Sequence, residues 1–118
     1  LGTGQARSSG YSSRCGSWRS TTAACAGRPV TTLEGFGTDP VMQALQEEMI
    51  VSGAVQCGFC TSGMLVTARD LLGQTPMPDE GTIRAALSGN LCRCTGYVRI
   101  VEAVQSAARA LSSREVTL

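Results

Sequence analysis

Four cysteines constrain this chain more than any other feature of its sequence. Cys57 and Cys60 form a C-x2-C pair, Cys92 and Cys94 form a C-x-C pair, and the run between the pairs has the pattern of helix, turn and helix. The 118-residue sequence contains no histidine. Four thiolates without an imidazole suit soft metals, so the set predicts an iron–sulfur cluster or a structural zinc, with the spacing favouring iron–sulfur. Two disulfides are a poor alternative, because a C-x-C disulfide closes a small, strained ring.

The composition of the chain limits the classes of partner and the cellular compartment that the sequence indicates. The net charge is +1, and the ten basic residues are all arginines spread along the chain without a block, so neither nucleic acid nor an anionic membrane surface is indicated. No apolar run is long enough to span a bilayer, and residues 1–20 lack a secretory pattern. We therefore expect a cytoplasmic, reducing compartment, in which metal binding explains six cysteines better than disulfides do.

Residues 1–37 predict an irregular segment and linker rather than a folded domain. Serine, threonine, glycine and arginine dominate most of it, and such a segment buries too little to offset its ordering entropy. Residues 30–33 are expected to form a short β-like piece before the glycine-rich breaker at 35–37. The spacing of Cys15 and Cys25 fits no ligand motif, so we expect free thiols there rather than a second metal centre.

From residue 38 onward the pattern becomes helical. Four amphipathic helices with short connections predict an all-α four-helix bundle over residues 38–111, followed by a tail over residues 112–118. Asp39 and Pro40 supply an N-cap and a proline at the first helical position. The four predicted helices begin after Asp39, near Thr61, after Asp79 and at Tyr97, and the first three end at Gly53, Gly73 and Gly89.

In this bundle both cysteine pairs lie in loops. One pair follows the first helix and the other precedes the fourth, and two loops at the same end of an antiparallel bundle can bring four sulfurs together. A bundle of about 70 residues is small for a core that stands alone, so a metal tying the two loops would stabilise it. Gly58 and Gly96 would let the backbone approach that metal closely.

Two runs around the cysteines resemble a known family. Residues 53–64 (GAVQCGFCTSGM) and residues 87–97 (LSGNLCRCTGY) are similar to the signatures of the C-terminal iron–sulfur subdomain in the small subunits of molybdenum hydroxylases. This is the family of xanthine dehydrogenase, aldehyde oxidoreductase and carbon monoxide dehydrogenase. The resemblance extends over residues 30–104 and includes both motifs in order. Ser62 stands where many members carry proline.

The resemblance implies a function and a set of site residues. It implies a four-helix domain that holds one 2Fe-2S cluster on Cys57, Cys60, Cys92 and Cys94, within an electron-transfer subunit of an oxidoreductase that turns over no substrate alone. It also implies a large partner subunit that carries the molybdopterin cofactor, with Gln56 and Cys94 of this chain contacting the pterin. A flavin-binding subunit would be a further partner.

The first part of the chain departs from this family. Members carry a plant-type ferredoxin domain before the bundle, with a C-x4-C-x2-C spacing that this chain lacks. The sequence therefore leads us to expect a truncated or rearranged first half. Two other interpretations stay open: a small interaction module stapled by zinc, and a non-functional remnant.

Overall fold

The computed structural model describes residues 23–116, and within that range it contains helices but no β-strand. Four α-helices follow one another along the chain: α1 Pro40–Val51, α2 Thr61–Gln74, α3 Glu80–Leu87 and α4 Val98–Val116. Two short stretches of 3-10 helix, Ala23–Cys25 and Leu33–Phe36, precede them. The prediction of an all-α protein with four helices is confirmed. Helix α4 continues through part of the predicted tail, and the domain limits drawn at 37 and 111 stay predictions.

The prediction of a β-like piece at residues 30–33 is wrong. Residues 29–32 are irregular, and Leu33–Phe36 forms a turn of 3-10 helix. A short strand needs a neighbouring strand to pair its backbone groups, and residues 23–116 contain none. The 3-10 turn instead places the Phe36 side chain in the helical core, where it is buried.

Cys25 also differs from its prediction. It is disulfide-bonded in the structure, so the expectation of a free thiol there is wrong. That expectation rested on the compartment and on the absence of a ligand motif, and neither tests whether a second sulfur lies within bonding distance. Cys15, for which we made the same prediction, lies outside the described residues.

Capping side chains determine where two of the helices begin. The Asp39 carboxylate accepts a hydrogen bond of 2.9 Å from the Met42 N–H, and Pro40 occupies the first helical position. Asp79 starts α3 in the same way, accepting from the Thr82 N–H at 2.7 Å. Such caps satisfy N–H groups that have no partner inside the helix. Both predicted helix starts are confirmed.

One apolar core joins the four helices. Helix α1 packs most extensively against α4 and also contacts α2, while α3 contacts α2 and α4. Burying one large apolar side chain stabilises a fold by roughly 1.5–3 kcal/mol, so these contacts decide where the helix ends, and hence the loops, are placed. The largest apolar side chains that are fully buried come from all four helices: Met42, Leu45, Met64, Ile83, Ile100 and Val104.

Arg69 on α2 ties the start of α1 to the rest of the bundle. Its guanidinium donates to both carboxylate oxygens of Asp39, at 3.0 and 3.1 Å, and both side chains are 19 % exposed. The guanidinium carbon also lies 5.5 Å from the centre of the Phe36 ring. A bidentate pair that is partly buried is stronger than an exposed ion pair. Arg69 therefore connects the 3-10 turn, the start of α1 and α2.

We expect Asp39→Ala to destabilise the protein by about 2–3 kcal/mol, because it removes a helix cap together with two charge-assisted hydrogen bonds. Asp79→Ala is the matched control, since that carboxylate caps a helix in the same way but does not bind Arg69. Its loss should be clearly smaller in urea unfolding followed by circular dichroism. Equal losses for the two variants would contradict the role given to Arg69.

Candidate metal centre

Two loops meet at one end of the bundle and bring the four candidate ligands together. Cys57 and Cys60 lie between α1 and α2, and Cys92 and Cys94 lie between α3 and α4. All four side chains line one cavity of about 390 Å³. The other residues that line it are Phe59, Leu91, Arg93 and Tyr97. The expected convergence of the two loops is thus present in the structure.

The four sulfurs interact in two pairs. Cys60 and Cys92, which we call the inner pair, are half-buried against the core, and hydrogen bonding to Cys92 adds to burial in raising the pKa of Cys60. Cys57 and Cys94, the outer pair, are exposed, and hydrogen bonding to Cys57 raises the pKa of Cys94.

The number of thiols bears on which metal centre they would fit. Within residues 23–116, no three Cys, His, Asp or Glu side chains converge at the spacing of a single bound ion. The four thiols nevertheless line the same cavity. Four thiols on one cavity supply the number of ligands that either centre needs: a 2Fe-2S cluster takes two thiolates on each iron, and zinc takes four sulfurs around one point.

Of the two cysteines in the inner pair, Cys92 becomes a thiolate more readily, because hydrogen bonds stabilise negative charge on its sulfur. Burial alone would raise its pKa, but hydrogen bonds from Thr95, from the Cys94 backbone and from Cys60 together lower the pKa of Cys92 to about 7. The Thr95 N–H donates to Cys92 Sγ at 3.4 Å, and Thr95 Oγ1 lies 3.1 Å from the same sulfur. For Cys60, burial and hydrogen bonding to Cys92 raise the pKa to about 11. The inner pair therefore contains one sulfur already favoured as a thiolate, the form that binds metals.

Backbone amides reach one sulfur in each pair. The Phe59 N–H lies 3.5 Å from Cys57 Sγ, as the Thr95 N–H lies close to Cys92 Sγ. In the outer pair, hydrogen bonding to Cys57 raises the pKa of Cys94. Amide-to-sulfur hydrogen bonds stabilise negative charge on thiolates and tune the potential of iron–sulfur centres. The donor set thus fits an anionic, sulfur-rich group.

Two glycines shape the cysteine loops through their backbone angles. Gly58 has a φ of 85° and Gly96 a φ of 69°, both in the left-handed region that residues with a Cβ seldom adopt. A Cβ built at either position would meet no atom within 4 Å. Glycine is required here because of conformation rather than because of steric crowding within the chain.

The residues expected to contact a pterin lie near the outer pair. Gln56 is exposed and directly precedes Cys57, and the Cys94 side chain is exposed as well. Arg93, between the two cysteines of the C-x-C pair, is also exposed and lines the cavity. These positions place Gln56 and Cys94 at the surface, and their contact with a pterin stays a prediction.

Sequence reasoning missed the contributions of Thr95 and Tyr97. It treated Tyr97 as the first apolar residue of the fourth helix, but α4 begins at Val98 and Tyr97 belongs to the cysteine loop. The Tyr97 hydroxyl accepts a hydrogen bond of 2.8 Å from the Cys92 N–H, and the Tyr97 N–H donates to Thr95 Oγ1 at 3.1 Å. Gly96, which signals a turn immediately before Tyr97, was the available hint that the helix starts later.

Comparison with known proteins identifies related chains. A family model described as 2Fe-2S binding domain matches residues 32–105. The nicotinate dehydrogenase small FeS subunit of Eubacterium barkeri is 50% identical over 78 residues, which cover 66% of this chain and 50% of that subunit. The nicotine 6-hydroxylase small subunit of Paenarthrobacter nicotinovorans is 49% identical over 81 residues, which cover 69% of this chain and 48% of that subunit.

A solved structure shares the fold. The crystal structure of quinoline 2-oxidoreductase from Pseudomonas putida 86 matches with a TM-score of 0.67 and 39% sequence identity. The match covers 80% of this chain and 60% of the quinoline 2-oxidoreductase chain. This chain spans about half the length of the small-subunit relatives it matches.

We expect Gly58→Ala and Gly96→Ala each to destabilise the protein by roughly 1–2 kcal/mol, since alanine must then adopt a left-handed conformation. Gly37→Ala is the matched control: its φ of −55° is helical, and an added Cβ there would meet only an ordinary contact at 3.8 Å. Urea unfolding compares the three variants. A loss for Gly37→Ala as large as for the loop variants would show that backbone handedness is not the cause.

Proposed function

Because this chain belongs to the 2Fe-2S binding domain family, we propose that it is the iron–sulfur electron-transfer part of a molybdenum-cofactor hydroxylase. The proposed ligands are Cys57, Cys60, Cys92 and Cys94. The observation that supports this best is the arrangement of their thiols as two pairs around one cavity, with N–H donors on both pairs. A bound 2Fe-2S cluster supplies one-electron oxidation and reduction, which the side chains themselves lack.

The protein's own residues hold and tune this centre. The inner pair is fixed against the core, and the amides of Phe59 and Thr95 disperse negative charge on Cys57 and Cys92. The outer pair faces solvent. Since electron transfer to another protein requires close approach, the outer pair is the side on which a redox partner would dock. The chain would therefore act with a partner and turn over no substrate alone.

We further propose that this partner is a large subunit that carries molybdopterin. The relatives named above are small subunits, which supports an assembly of several chains. Next to the outer pair, Phe59 is 92 % exposed and Leu91 is 72 % exposed. Large apolar side chains so exposed, surrounded by polar neighbours such as Gln56 and Arg93, are typical of the core and rim of a protein interface. We call this surface, formed by Gln56, Phe59, Leu91 and Cys94, the docking face.

We also propose a further partner and a compartment. A flavin-binding subunit as a second redox partner, and a cytoplasmic location, rest on the family resemblance and on the sequence. No helix within residues 23–116 combines the length and the apolar character needed to cross a membrane.

The ligand assignment predicts what serine substitutions will do. Protein reconstituted with iron and sulfide should contain about two irons and two labile sulfides per chain, with visible absorbance that bleaches on dithionite reduction. Cys57→Ser, Cys60→Ser and Cys92→Ser should each lose most of that iron and absorbance, because thiolates bind the iron. Cys25→Ser is the control, since Cys25 does not line the cavity. Stoichiometric zinc without absorbance in the native chain would support the zinc-stapled module instead.

If the docking face is the interface with the large subunit, a substitution on it should weaken partner binding selectively. Phe59→Ser should weaken capture of a co-expressed large subunit by about thirtyfold, as expected when an aromatic anchor worth about 2 kcal/mol is removed. Met77→Ser is the control, because Met77 is 57 % exposed but lies in the turn between α2 and α3. Both variants should keep the native cluster absorbance. Equal capture of the Phe59→Ser, Met77→Ser and native proteins would exclude the docking face as the interface.

A further inference from the structure

Tyr97 is neither a proposed ligand nor part of the docking face, yet its backbone conformation is unusual. Its φ of 72° makes it the one residue other than glycine, within residues 23–116, that has a left-handed backbone. A residue with a Cβ remains in this conformation only when its surroundings hold it there, and such residues concentrate at functional sites. The contacts of Tyr97 show what holds it.

Three hydrogen bonds form a closed circuit that begins and ends at Cys92. The Cys92 N–H donates to the Tyr97 hydroxyl at 2.8 Å. The Tyr97 N–H donates to Thr95 Oγ1 at 3.1 Å, and Thr95 Oγ1 in turn lies 3.1 Å from Cys92 Sγ. Because the Thr95 oxygen accepts from Tyr97, its own hydrogen is free to point at the sulfur. The circuit thus fixes the backbone of Cys92 and directs a donor at its side chain.

The same tyrosine is anchored outside the loop. Its ring packs against the hydrophobic core, and its carbonyl accepts the Val101 N–H at 2.9 Å, in the first turn of α4. Tyr97 lines the cysteine cavity and also a second cavity of about 280 Å³, whose other lining residues are Arg84, Leu87, Ser88 and Val101. Any displacement of Cys92 would therefore have to disturb the start of α4.

We infer that Tyr97 is a positioning residue that holds Cys92, through its backbone N–H, in the orientation required to bind the cluster. This inference rests on the proposed function. It differs from a general packing role because the phenol oxygen, and not only the ring, is needed. The Tyr97 hydroxyl also engages the Cys92 N–H, an amide that would otherwise be available to donate to sulfur. Because amide donors to sulfur tune the potential of iron–sulfur centres, the potential of a bound cluster would depend on the phenol oxygen.

Tyr97→Phe tests the inference, since it removes the hydroxyl oxygen and keeps the ring. In the reconstituted protein we expect iron to be released to a chelator about fivefold faster, the change expected on losing one hydrogen bond of ordinary strength. We also expect a shifted reduction potential and a changed electron paramagnetic resonance spectrum of the reduced protein. Tyr11→Phe makes the same chemical change at the other tyrosine of the chain and should match the native protein in all three measurements.

Thr95 provides a second variant pair on the same circuit. Thr95→Val removes the hydroxyl link and should change the spectrum and speed iron release, whereas Thr95→Ser keeps a hydroxyl and should restore values close to native. Amide hydrogen exchange at Cys92 in the iron-free protein reports the hydrogen bond directly, and it should be faster in Tyr97→Phe than in the native chain.

The outcomes separate this inference from the proposed function. A native chain that binds no iron overturns the proposed function and this inference with it. Native iron content together with an unchanged spectrum and unchanged iron release in Tyr97→Phe overturns this inference alone. A lower urea midpoint in Tyr97→Phe with an unchanged spectrum would reduce Tyr97 to a structural residue and would also overturn it.

Discussion

The packing of α1 against α4 is the constraint on which the metal centre depends. One cysteine loop leaves the C-terminal end of α1, and the other leads into the N-terminal end of α4, so the distance between the loops follows from how these helices pack. Alanines are buried on both: Ala44 on α1, and Ala103, Ala107 and Ala108 on α4. Small side chains let helix axes approach closely. The two loops can therefore share one cavity without long connections.

The centre that results has two unlike sides. The inner pair is in contact with the core, and its charge is adjusted by Thr95, while the outer pair faces solvent beside the exposed side chain of Phe59. A site buried on all sides would hold its ligands firmly but keep them far from any partner. A fully exposed site would lose the dry environment in which hydrogen bonds to sulfur are strong. The division into an inner and an outer pair satisfies both requirements of the electron-transfer role proposed above.

Local signals in the sequence were sufficient to predict the four helices. They could not predict contacts between residues that are far apart in the sequence. The Asp39 and Asp79 caps act within three residues, so they could be identified from the sequence and are present in the structure. The residues 30–33 were misassigned because β-propensity says nothing about whether a partner strand exists. Tyr97 was assigned to a helical stripe because its spacing to Val101 is correct, although its backbone is left-handed. The pairing of thiols and the Asp39–Arg69 contact, 30 residues apart in sequence, require the folded core.

The C-x-C loop is braced at both of its ends, and this explains which cysteines are inner. At its start, Asn90 is buried and donates from Nδ2 to Thr67 Oγ1 on α2 at 2.9 Å, while its own N–H bonds the Leu87 carbonyl. At its end, Tyr97 is fixed to the core and to α4. The Cys92 N–H is hydrogen-bonded directly to the Tyr97 hydroxyl, whereas Cys94 lies in the exposed part of the loop.

The other loop follows the same rule. Cys60 immediately precedes α2, and its carbonyl accepts the Met64 N–H at 3.0 Å, so its backbone is part of the helix start. Cys57 lies three residues earlier, in the exposed stretch. In both loops the cysteine nearer to an anchored backbone is half-buried and the other is exposed. The hydrogen bonds to Tyr97 and at the start of α2 thus anchor the inner side of the centre, and the outer side is the one that the proposed partner would reach.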